Sequence, residues 1–472
     1  MLDPEKNTVP ERLEKIYLMG ICGVGMSALA GILRSMGYKI KGSDSNFYPP
    51  VSELLLRLGI PVYKYSPENL KERPDLVIIG NVIKRDNPEL LEILKKDIHY
   101  LSFPQAVKKL LLRGKKSIVI AGTHGKTTTT ALISWILRRA GLDPSFIIGG
   151  IAKNFDSNFY LGKGEFFVIE GDEYDSAFFD KRPKFLHYDP CLAVITNIEF
   201  DHADIYKDIS DVILSFRSFI KLIPEDGILV YNRESYILDL EAKKSSSWII
   251  SYGTEDSLWY VKDTWTEEGR TFFLVCKEGK EYMKLSTLLY GRHNLSNILA
   301  GIAISDYLGI QKDTVRHAVE GFKGVKRRLE HIGEKNGILV IDDFAHHPTE
   351  VRESLRALRE RFPKRRIIAV FEPRTNSSRR DVFQKSYVFS FDSADIVMIP
   401  EPPMMEGIPE DERFSSALLV EDLKKRGLDA YYFPDKGKLL SQLLKKTKKG
   451  DIVIFMSNGI MENLPRRFLF SL

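Results

Sequence analysis

A short glycine loop follows an apolar run in the stretch IAGTHGKTTTT, residues 120–130. An apolar strand, a glycine loop and a helix that begins at Lys-Thr place backbone N–H groups and a helix N-terminus around a phosphate. In such a loop Lys126 would contact the β and γ phosphates of ATP, and the hydroxyl of Thr127 would bind Mg²⁺. The strict phosphate-loop pattern requires Gly at position 120, where this chain has Ile. We therefore interpret GTHGKTT as a shortened variant of that loop.

Acidic and imidazole side chains follow two further apolar runs. The run FFVIEGDE supplies Glu170, with Asp172 and Glu173 directly after it, and LAVITNIEFDH ends in Asp201 and His202. Because the carboxyl ends of parallel strands meet at one edge of a sheet, we expect these groups beside the phosphate loop. Oxygen and imidazole ligands there would hold the metal ions that phosphoryl transfer needs. Each acid taken alone is equally compatible with an exposed turn.

An earlier glycine turn lies in YLMGICGVGMSALA, with glycines at positions 20, 23 and 25. A strand, this turn, a helix to about Met36 and a second strand ending at Asp44 form the first half of a dinucleotide-type βαβ unit. The spacing is not the standard one, because Cys22 takes the place of a second glycine. Asp44 would either reach a ribose or only close the turn. A nicotinamide-dependent dehydrogenase is one interpretation of this turn, but it leaves the phosphate loop unexplained.

Apolar strand-like runs and helical stretches alternate along the whole chain, which predicts an α/β fold with mostly parallel sheets. A chain of 472 residues is too long for one ordinary core, so we expect three domains. The stretch LRGKKS (112–117) is typical of a hinge. We place a Rossmann-like domain at 1–113, a central P-loop ATPase-like domain at 114–322 and a C-terminal Rossmann-like domain at 323–472.

Composition narrows the class of protein further. Net charge is +5, with basic and acidic residues interspersed, which does not favour a nucleic-acid partner. No apolar run reaches the ~18 residues needed to cross a bilayer, so we expect no membrane partner. The three cysteines are far apart and match no disulfide or metal spacing. These features favour a cytoplasmic protein, and they leave the oligomeric state open.

Five stretches in a fixed order carry a family resemblance: GTHGKTTTT, TNIEFDH, YGRHNLSN, GVKRRLE and DDFAHHPTEV. Together they resemble the Mur ligases, the ATP-dependent amide-forming enzymes of peptidoglycan synthesis, from about residue 15 to residue 459. The resemblance implies ATP and Mg²⁺ as cofactors, an acyl-phosphate intermediate, an N-terminal UDP-binding domain and a C-terminal domain that binds the amine. GICGVGMSALA followed by GSD is similar to the members that use UDP-N-acetylmuramate as the carboxylate substrate.

The resemblance assigns roles residue by residue. It implies that the catalytic residues are Lys126, Glu170 and His202, and that the metal ligands are Thr127, Glu170 and His202. It implies ATP contacts at Gly122, Thr123, His124, Gly125, Lys126, Thr127, Thr128, His293, Asn297, Arg328 and Asp343. It implies UDP-sugar contacts at Gly20, Cys22, Gly23, Gly25, Met26 and Asp44. For the amine substrate we expect contacts at Arg374, His346, Ser457 and Asn458, although an arginine in a turn is equally typical of a plain surface.

Two amine substrates compete within this branch. Members that use L-alanine usually have a shorter segment after the acidic strand, and a QPHRYTR-like run where this chain has FEPRTNS. Four stretches instead resemble the members that attach the recycled tripeptide L-alanyl-γ-D-glutamyl-meso-diaminopimelate. They are GSDSNFYPPVSELL, EGDEYDSAFFDKRPKFLHYDP, EPRTNSS and MSNG. We therefore predict the tripeptide as the amine substrate, with L-alanine as the alternative. A binding protein without catalysis would be expected to lose Lys126 or a metal ligand, and this chain retains them.

One departure concerns the metal pair. Several Mur ligases bridge their two metal ions with a carbamylated lysine on the helix that follows the DH motif. Here that helix reads DVILSFRSFI and contains no lysine. Muramate-using members generally share this absence, so it agrees with the branch and gives no support to a carbamate bridge.

Overall fold

The structure is a computed structural model that describes residues 3–47, 49 and 51–472. Tyr48 and Pro50, within the predicted substrate stretch GSDSNFYPPVSELL, lie outside the described residues. Each of three large sheets occupies one of the three predicted ranges. The boundaries between the ranges remain predictions. Among the described residues, no helix has both the length and the apolar character needed to span a membrane.

The N-terminal sheet has five parallel strands in the order β3-β2-β1-β4-β5. The predicted βαβ unit is confirmed, with the second strand ending one residue before Asp44. Its inner strands are apolar runs buried on both faces, as parallel strands between helices must be. The elements are β1 Lys15–Met19, α1 Val24–Ser35, β2 Lys39–Ser43, α2 Val51–Arg57, β3 Val62–Tyr63, β4 Leu76–Ile79, α3 Pro88–Lys95, β5 His99–Ser102 and α4 Phe103–Ala106.

The central sheet has ten strands in the order β17-β16-β15-β14-β13-β12-β6-β9-β7-β8. Strands from β15 to β7 are parallel, while β8 and the β15–β17 meander pair antiparallel. The strands of this sheet are β6 Lys116–Ala121, β7 Ser145–Ala152, β8 Ser157–Tyr160, β9 Phe166–Gly171, β12 Leu192–Ile195, β13 Ile228–Asn232, β14 Trp248–Gly253, β15 Trp259–Glu267, β16 Arg270–Lys277 and β17 Lys280–Thr287. The strands β10 Asp175–Ala177 and β11 Asp180–Pro183 form a separate two-stranded antiparallel ribbon. The helices are α5 Lys126–Arg139, α6 Ile209–Ile220, α7 Tyr236–Ala242, α8 Arg292–Tyr307 and α9 Lys312–Glu320.

The C-terminal sheet has six strands in the order β18-β19-β23-β20-β21-β22, parallel except for β18. The strands are β18 Glu330–Lys335, β19 Ile338–Asp343, β20 Ile367–Phe371, β21 Ile396–Pro400, β22 Asp429–Phe433 and β23 Ile452–Met456. The helices are α10 Pro348–Arg361, α11 Gln384–Tyr387, α12 Ser416–Lys425, α13 Lys436–Lys446 and α14 Leu464–Ser471.

The N-terminal and central units meet where α1 packs on β7 and β8. A Cβ added to Gly31 of α1 would lie 2.3 Å from ring atoms of Phe159, so only glycine permits this approach. Beside it, the amide of Asn158 donates to the carbonyl of Val24 at 2.9 Å. The apolar contact between Gly31 and the Phe159 ring, with this hydrogen bond, fixes the N-terminal sheet against the central one.

Candidate functional site

The phosphate loop joins β6 to α5, in the strand–loop–helix order that the sequence predicts. Gly122 and Gly125 have φ of +129° and +81°, which glycine adopts readily. A Cβ at Gly122 would lie 2.1 Å from the hydroxyl of Thr196, and one at Gly125 would lie 2.5 Å from Oδ1 of Asn297. The loop is therefore packed closely enough to aim its N–H groups, and the start of α5, into one concavity.

The ammonium of Lys126 lies inside this loop. It donates to the carbonyls of Gly122 and Thr123 and to Oε2 of Glu173, at 3.0 Å from the carboxylate. Burial opposes the charge, but Glu173 and Asp172 outweigh it and raise the pKa of Lys126. The side chain therefore stays cationic, as a phosphate contact requires.

Thr127 and Glu170 form the first candidate metal site. The hydroxyl of Thr127 donates to Oε2 of Glu170 at 3.0 Å, and the N–H of Gly149 donates to the other carboxylate oxygen. Burial raises the pKa of Glu170, so a cation beside it would stabilise the ionised carboxylate. Hydroxyl and carboxylate oxygens are the ligands that Mg²⁺ prefers.

His202 lies in a second candidate metal site, with Asp172 and Glu173. One ligand atom from each of the three residues lies within 4.8 Å of the others. Nε2 of His202 is 3.4 Å from Oε1 of Glu173. Burial opposes protonation of His202, but Asp201 and Glu173 raise its pKa to about 9. A metal ion at this position would take the place of that proton.

Glu173, which the sequence placed among the acids beside the phosphate loop without an assigned role, is a further functional candidate. It contacts both Lys126 and His202, and its carbonyl accepts from the hydroxyl of Tyr206 at 2.7 Å. The available signal was the third acid in FFVIEGDE, which lies just past the end of β9. Helix α6 contains no lysine, and the lysines that contact these sites are Lys126, at Glu173, and Lys184, at Asp172.

A cavity of about 640 Å³ opens beside the phosphate loop, between the central and C-terminal units. Several predicted ATP residues line it together, namely His124, Gly125, Thr128, His293, Asn297, Arg328 and Asp343. Asn232, Glu234 and the exposed Tyr236 also line it, and our sequence assignment missed them. Their signal was a polar run, NRESY, which begins at the last residue of the buried strand β13.

Two of the lining residues differ in how free they are to bind. Burial lowers the pKa of His293, and the amide of Asn294 donates to its Nε2 at 3.1 Å, so the neutral ring has its proton on Nδ1. The buried Nδ1 has no hydrogen-bond partner among the described groups and can donate to a nucleobase. Asp343 is only 3% exposed and already accepts from Ser354 and from the N–H of Leu329. The carboxylate of Asp343 therefore links Leu329 to Ser354 within the C-terminal unit. Its contact with a ribose stays a prediction.

A charged cluster joins the phosphate loop to the C-terminal unit. Nδ1 of His124 is 3.3 Å from Glu350, and its Nε2 is 3.6 Å from Glu199. Burial opposes protonation of His124, but these two carboxylates raise its pKa to about 10. His346 lies 3.2 Å from Glu350 and 3.9 Å from Asp201. His346, predicted to contact the amine, therefore belongs to this cluster between the units.

His347 has a structural role in the same cluster. Its Nδ1 caps α10 by accepting from the N–H of Thr349 at 3.2 Å, and Glu350 completes the capping box. Its Nε2 lies 3.1 Å from the carbonyl of Phe200, to which it donates. Both ring nitrogens are thus engaged, so His347 supplies no ligand although it lies near His124 and Glu199.

Three of the four predicted amine-binding residues, Arg374, Ser457 and Asn458, lie at the carboxyl ends of β20 and β23, whereas His346 does not. The hydroxyl of Ser457 donates to Oε1 of the buried Glu372 at 2.8 Å, and Nη1 of Arg374 lies 3.8 Å from the same oxygen. Oδ1 of Asn458 is buried and has no hydrogen-bond partner among the described groups. The following turn reaches the His202 segment, since Ala203 N–H donates to Ser377 at 3.1 Å.

The N-terminal glycine turn is shaped by its own backbone. The N–H groups of Gly20 and Ile21 donate to the carbonyl of Ser43, and Cys22 N–H donates to Oδ2 of Asp44 at 2.9 Å. Of the two roles considered for Asp44, the structure shows the turn contact, and the ribose contact stays a prediction. Gly23 precedes α1 as its N-cap. In the first turn of α1, a Cβ at Gly25 would lie 3.2 Å from the ring of Phe103, and Met26 is buried below the turn.

Comparison with known proteins gives three family matches that follow one another along the chain. Residues 15–115 match the Mur ligase family catalytic domain, 120–305 the Mur ligase middle domain, and 327–459 the Mur ligase glutamate ligase domain. The chain is 36% identical over 463 residues to the UDP-N-acetylmuramate–L-alanyl-γ-D-glutamyl-meso-2,6-diaminoheptandioate ligase of Escherichia coli, covering 96% of this chain and 97% of that protein. The chain belongs to the Mur ligase family. The predicted α/β fold, family and ATP-dependent ligase class are thereby confirmed.

Relatives of this Mur ligase include both kinds of amine specificity. A UDP-N-acetylmuramate–L-alanine ligase of Desulforapulum autotrophicum is 33% identical over 456 residues, covering 96% of this chain and 98% of that protein. The crystal structure of a murein peptide ligase from Psychrobacter arcticus has a TM-score of 0.74 at 31% identity. That of a UDP-N-acetylmuramate–alanine ligase from Thermotoga maritima has a TM-score of 0.81 at 27% identity. Each alignment covers 97% of this chain and 98% of the other.

Proposed function

We propose that this Mur ligase joins the carboxylate of UDP-N-acetylmuramate to the amine of L-alanyl-γ-D-glutamyl-meso-2,6-diaminoheptandioate, with ATP converted to ADP and phosphate. The observation that carries the proposal is the position of the phosphate loop. The loop follows β6 of the central unit. That unit contacts α1 of the N-terminal unit, and its Ala203 N–H donates to Ser377 in the turn that carries Arg374. A reaction that consumes three substrates requires such a meeting point.

The reaction consists of two successive nucleophilic displacements. A muramate oxygen attacks the γ-phosphorus, the bond to the ADP oxygen breaks, and an acyl phosphate results. The peptide nitrogen then attacks the acyl carbon, loses a proton, and expels phosphate to leave an amide. Lys126 and the N–H groups that begin α5 would stabilise the negative charge that gathers in the first step.

Mg²⁺ fits the donor sets of this site. Thr127 with Glu170, and Asp172 with Glu173 and His202, would hold it. When bound, the ion would supply charge neutralisation at the transferring phosphoryl group. Glu173, which contacts Lys126 and His202, would keep both side chains in place. The charged cluster around His124 would bring α10 against the phosphate loop and so help to exclude water from the acyl phosphate.

The turn after β20 supports a peptide as the amine. It carries Arg374 beside Ser457 and Glu372, and an arginine fork binds carboxylates bidentately. L-Alanine is the second candidate, because the alanine ligase from Thermotoga maritima superposes with the higher TM-score of the two crystal structures.

Release of ADP from UDP-N-acetylmuramate and Mg-ATP tests the proposal, with the tripeptide alone, L-alanine alone or no amine present. We expect the tripeptide to stimulate release and to yield a product whose mass is the sum of the two substrates minus water. Stimulation by L-alanine alone would establish the alternative. Stimulation by neither amine would contradict both.

A further inference from the structure

The turn that follows β20 carries three arginines whose charges are neutralised unequally. Arg380 pairs with Glu412. Arg374 lies 3.8 Å from Glu372, which also pairs with Lys436 at 2.7 Å. Arg379 forms no ion pair with any carboxylate that the structure describes. Among the described residues, Arg379 is therefore the arginine of this turn whose guanidinium forms no ion pair.

The contacts of Arg379 hold its guanidinium in place without neutralising it. Nε donates to the carbonyl of Thr375 at 3.3 Å, Nη2 donates to Oδ1 of Asn376 at 2.7 Å, and Nη1 donates to the carbonyl of Met404. All three acceptors are uncharged. A guanidinium has five N–H groups, so with three donated, two are left for a ligand. Burial, and then the nearby charges of Arg374 and Arg380, lower the pKa of Arg379, while the carboxylate of Asp204 opposes this shift.

The same turn lies against the segment that carries the metal-site histidine. The amide of Asn376, which accepts from Arg379, donates to Oδ2 of Asp204 at 2.8 Å and to the hydroxyl of Tyr174 at 3.3 Å. The Tyr174 ring meets the ring of His202 edge-on, with centroids 4.9 Å apart. Arg379 is thus linked through two side chains, Asn376 and Tyr174, to the histidine of the second candidate metal site.

We propose that Arg379 binds a carboxylate of the peptide substrate beyond its first residue, while Arg374 binds another. This inference rests on the proposed function. The tripeptide has free carboxylates on its second and third residues, whereas L-alanine has only its own. An arginine held by neutral acceptors, with N–H groups to spare, suits such a carboxylate and makes Arg379 a specificity-determining residue for the amine.

The test compares Arg379→Gln and Arg379→Lys with the wild-type enzyme in steady-state assays of ADP release. We expect Arg379→Gln to raise the KM for the tripeptide about tenfold to a hundredfold, because charge-assisted hydrogen bonds to the carboxylate are lost. The kcat and the KM values for ATP and UDP-N-acetylmuramate should stay within about twofold. Arg379→Lys keeps the charge and loses the fork, so its KM should lie between the two. Arg380→Gln, in the same turn but with its charge already paired, should leave the tripeptide KM within about twofold.

Each outcome bears on a different claim. An unchanged tripeptide KM in folded Arg379→Gln would overturn the inference and leave the proposed function standing. An equal rise in Arg380→Gln would show a general disturbance of the turn and would also overturn it. If melting curves show that Arg379→Gln is unfolded, Arg379→Lys decides, and a KM equal to wild type counts against the inference. Failure of the wild-type enzyme to use the tripeptide would instead refute the proposed function.

Discussion

At the scale of single residues, Lys126 is satisfied by its own loop and by Glu173 before any nucleotide binds. A phosphate entering the loop must compete with these contacts for the ammonium. Because the carbonyls and the carboxylate hold the side chain in one place, little ordering of Lys126 remains for the transition state.

Replacement of Lys126 by Met should lower the rate of ADP release about 100- to 1000-fold, since one preorganised cation is lost from the phosphoryl-transfer site. Initial rates at saturating substrates measure this. Lys116→Met, at the other end of β6 and paired only with Glu165 at the surface, is the control and should keep its rate. Comparable losses in the two variants would argue against the assigned role.

Glu173→Gln tests the acid that links Lys126 to His202. We expect the Mg²⁺ concentration for half-maximal activity to rise about 10- to 100-fold, because the variant loses a carboxylate that would hold the ion and keep His202 in place. The stabilisation of the melting temperature by Mg²⁺ with an ATP analogue should fall in parallel, which gives a readout independent of turnover. Glu165→Gln, at the surface, is the matched control. A variant with normal Mg²⁺ dependence would remove Glu173 from the site.

Because the pKa of His124 is raised, we expect this side chain to make the free energy of unfolding fall as pH rises above neutrality. Folded His124 holds its proton up to a pKa of about 10, whereas an unfolded histidine releases it near pH 6.5. Its contribution to the free energy of unfolding is therefore full below about pH 6.5 and is lost as pH rises through 10. Melting temperatures measured from pH 6.5 to 10 should fall less steeply in His124→Asn than in the wild type. Parallel curves would show that His124 is not protonated in the folded protein.

At the scale of elements, the contact between α1 and β8 depends on the absence of one side chain. Gly31→Ala should destabilise the protein by about 1–3 kcal/mol, because the new methyl meets the Phe159 ring and overpacks the contact. The gain in helix propensity, about 1 kcal/mol, offsets part of this. Denaturant midpoints measure the change. Phe159→Leu combined with Gly31→Ala should recover part of the loss, and a double variant as unstable as the sum of both singles would contradict this explanation.

The elements also show what a sequence pattern can and cannot predict. The turn before α1 and the loop before α5 were predictable, because glycine, apolar strand and helix lie within about 20 consecutive residues. The antiparallel meander of β15, β16 and β17 was not predicted, although the sequence carries a signal for it: two-residue Glu-Gly loops, Glu268–Gly269 and Glu278–Gly279, join its strands with positive φ at both residues.

Contacts distant in sequence account for the missed site residues. His124 pairs with Glu350, and Asn376 with Asp204, across separations of more than 150 residues. Position within a motif does not specify such partners, because they depend on how two separate units pack. For the same reason Glu173 was visible as an acid after β9, while its contact with Lys126 was not.

At the scale of the whole molecule, the cavity beside the phosphate loop is complete only when the central and C-terminal units are together. A nucleotide that binds both walls stabilises this arrangement by mass action, about 2.7 kcal/mol at 100 times its dissociation constant. We therefore expect a non-hydrolysable ATP analogue with Mg²⁺ to slow hydrogen exchange at the start of α10 as well as in the phosphate loop.

UDP-N-acetylmuramate alone is the control for that experiment. It should slow exchange in the turn around Gly20 to Met26 and leave α10 unchanged. Protection confined to the phosphate loop when the analogue binds would show that the C-terminal wall of the cavity takes no part in binding the nucleotide.

The two seams of this molecule differ in chemistry: α1 meets β8 through an apolar contact that admits no side chain at Gly31, whereas α10 meets the phosphate loop through histidines and carboxylates. The distance from the glycine turn to the phosphate loop is therefore set by packing, and the distance from there to Arg374 by histidine charges that pH alters. For inhibitor design, the length of a linker between a uridine group and a phosphate mimic can be taken from the structure of the free protein. The length of a linker that reaches the arginine turn should instead be taken from a structure of the nucleotide complex.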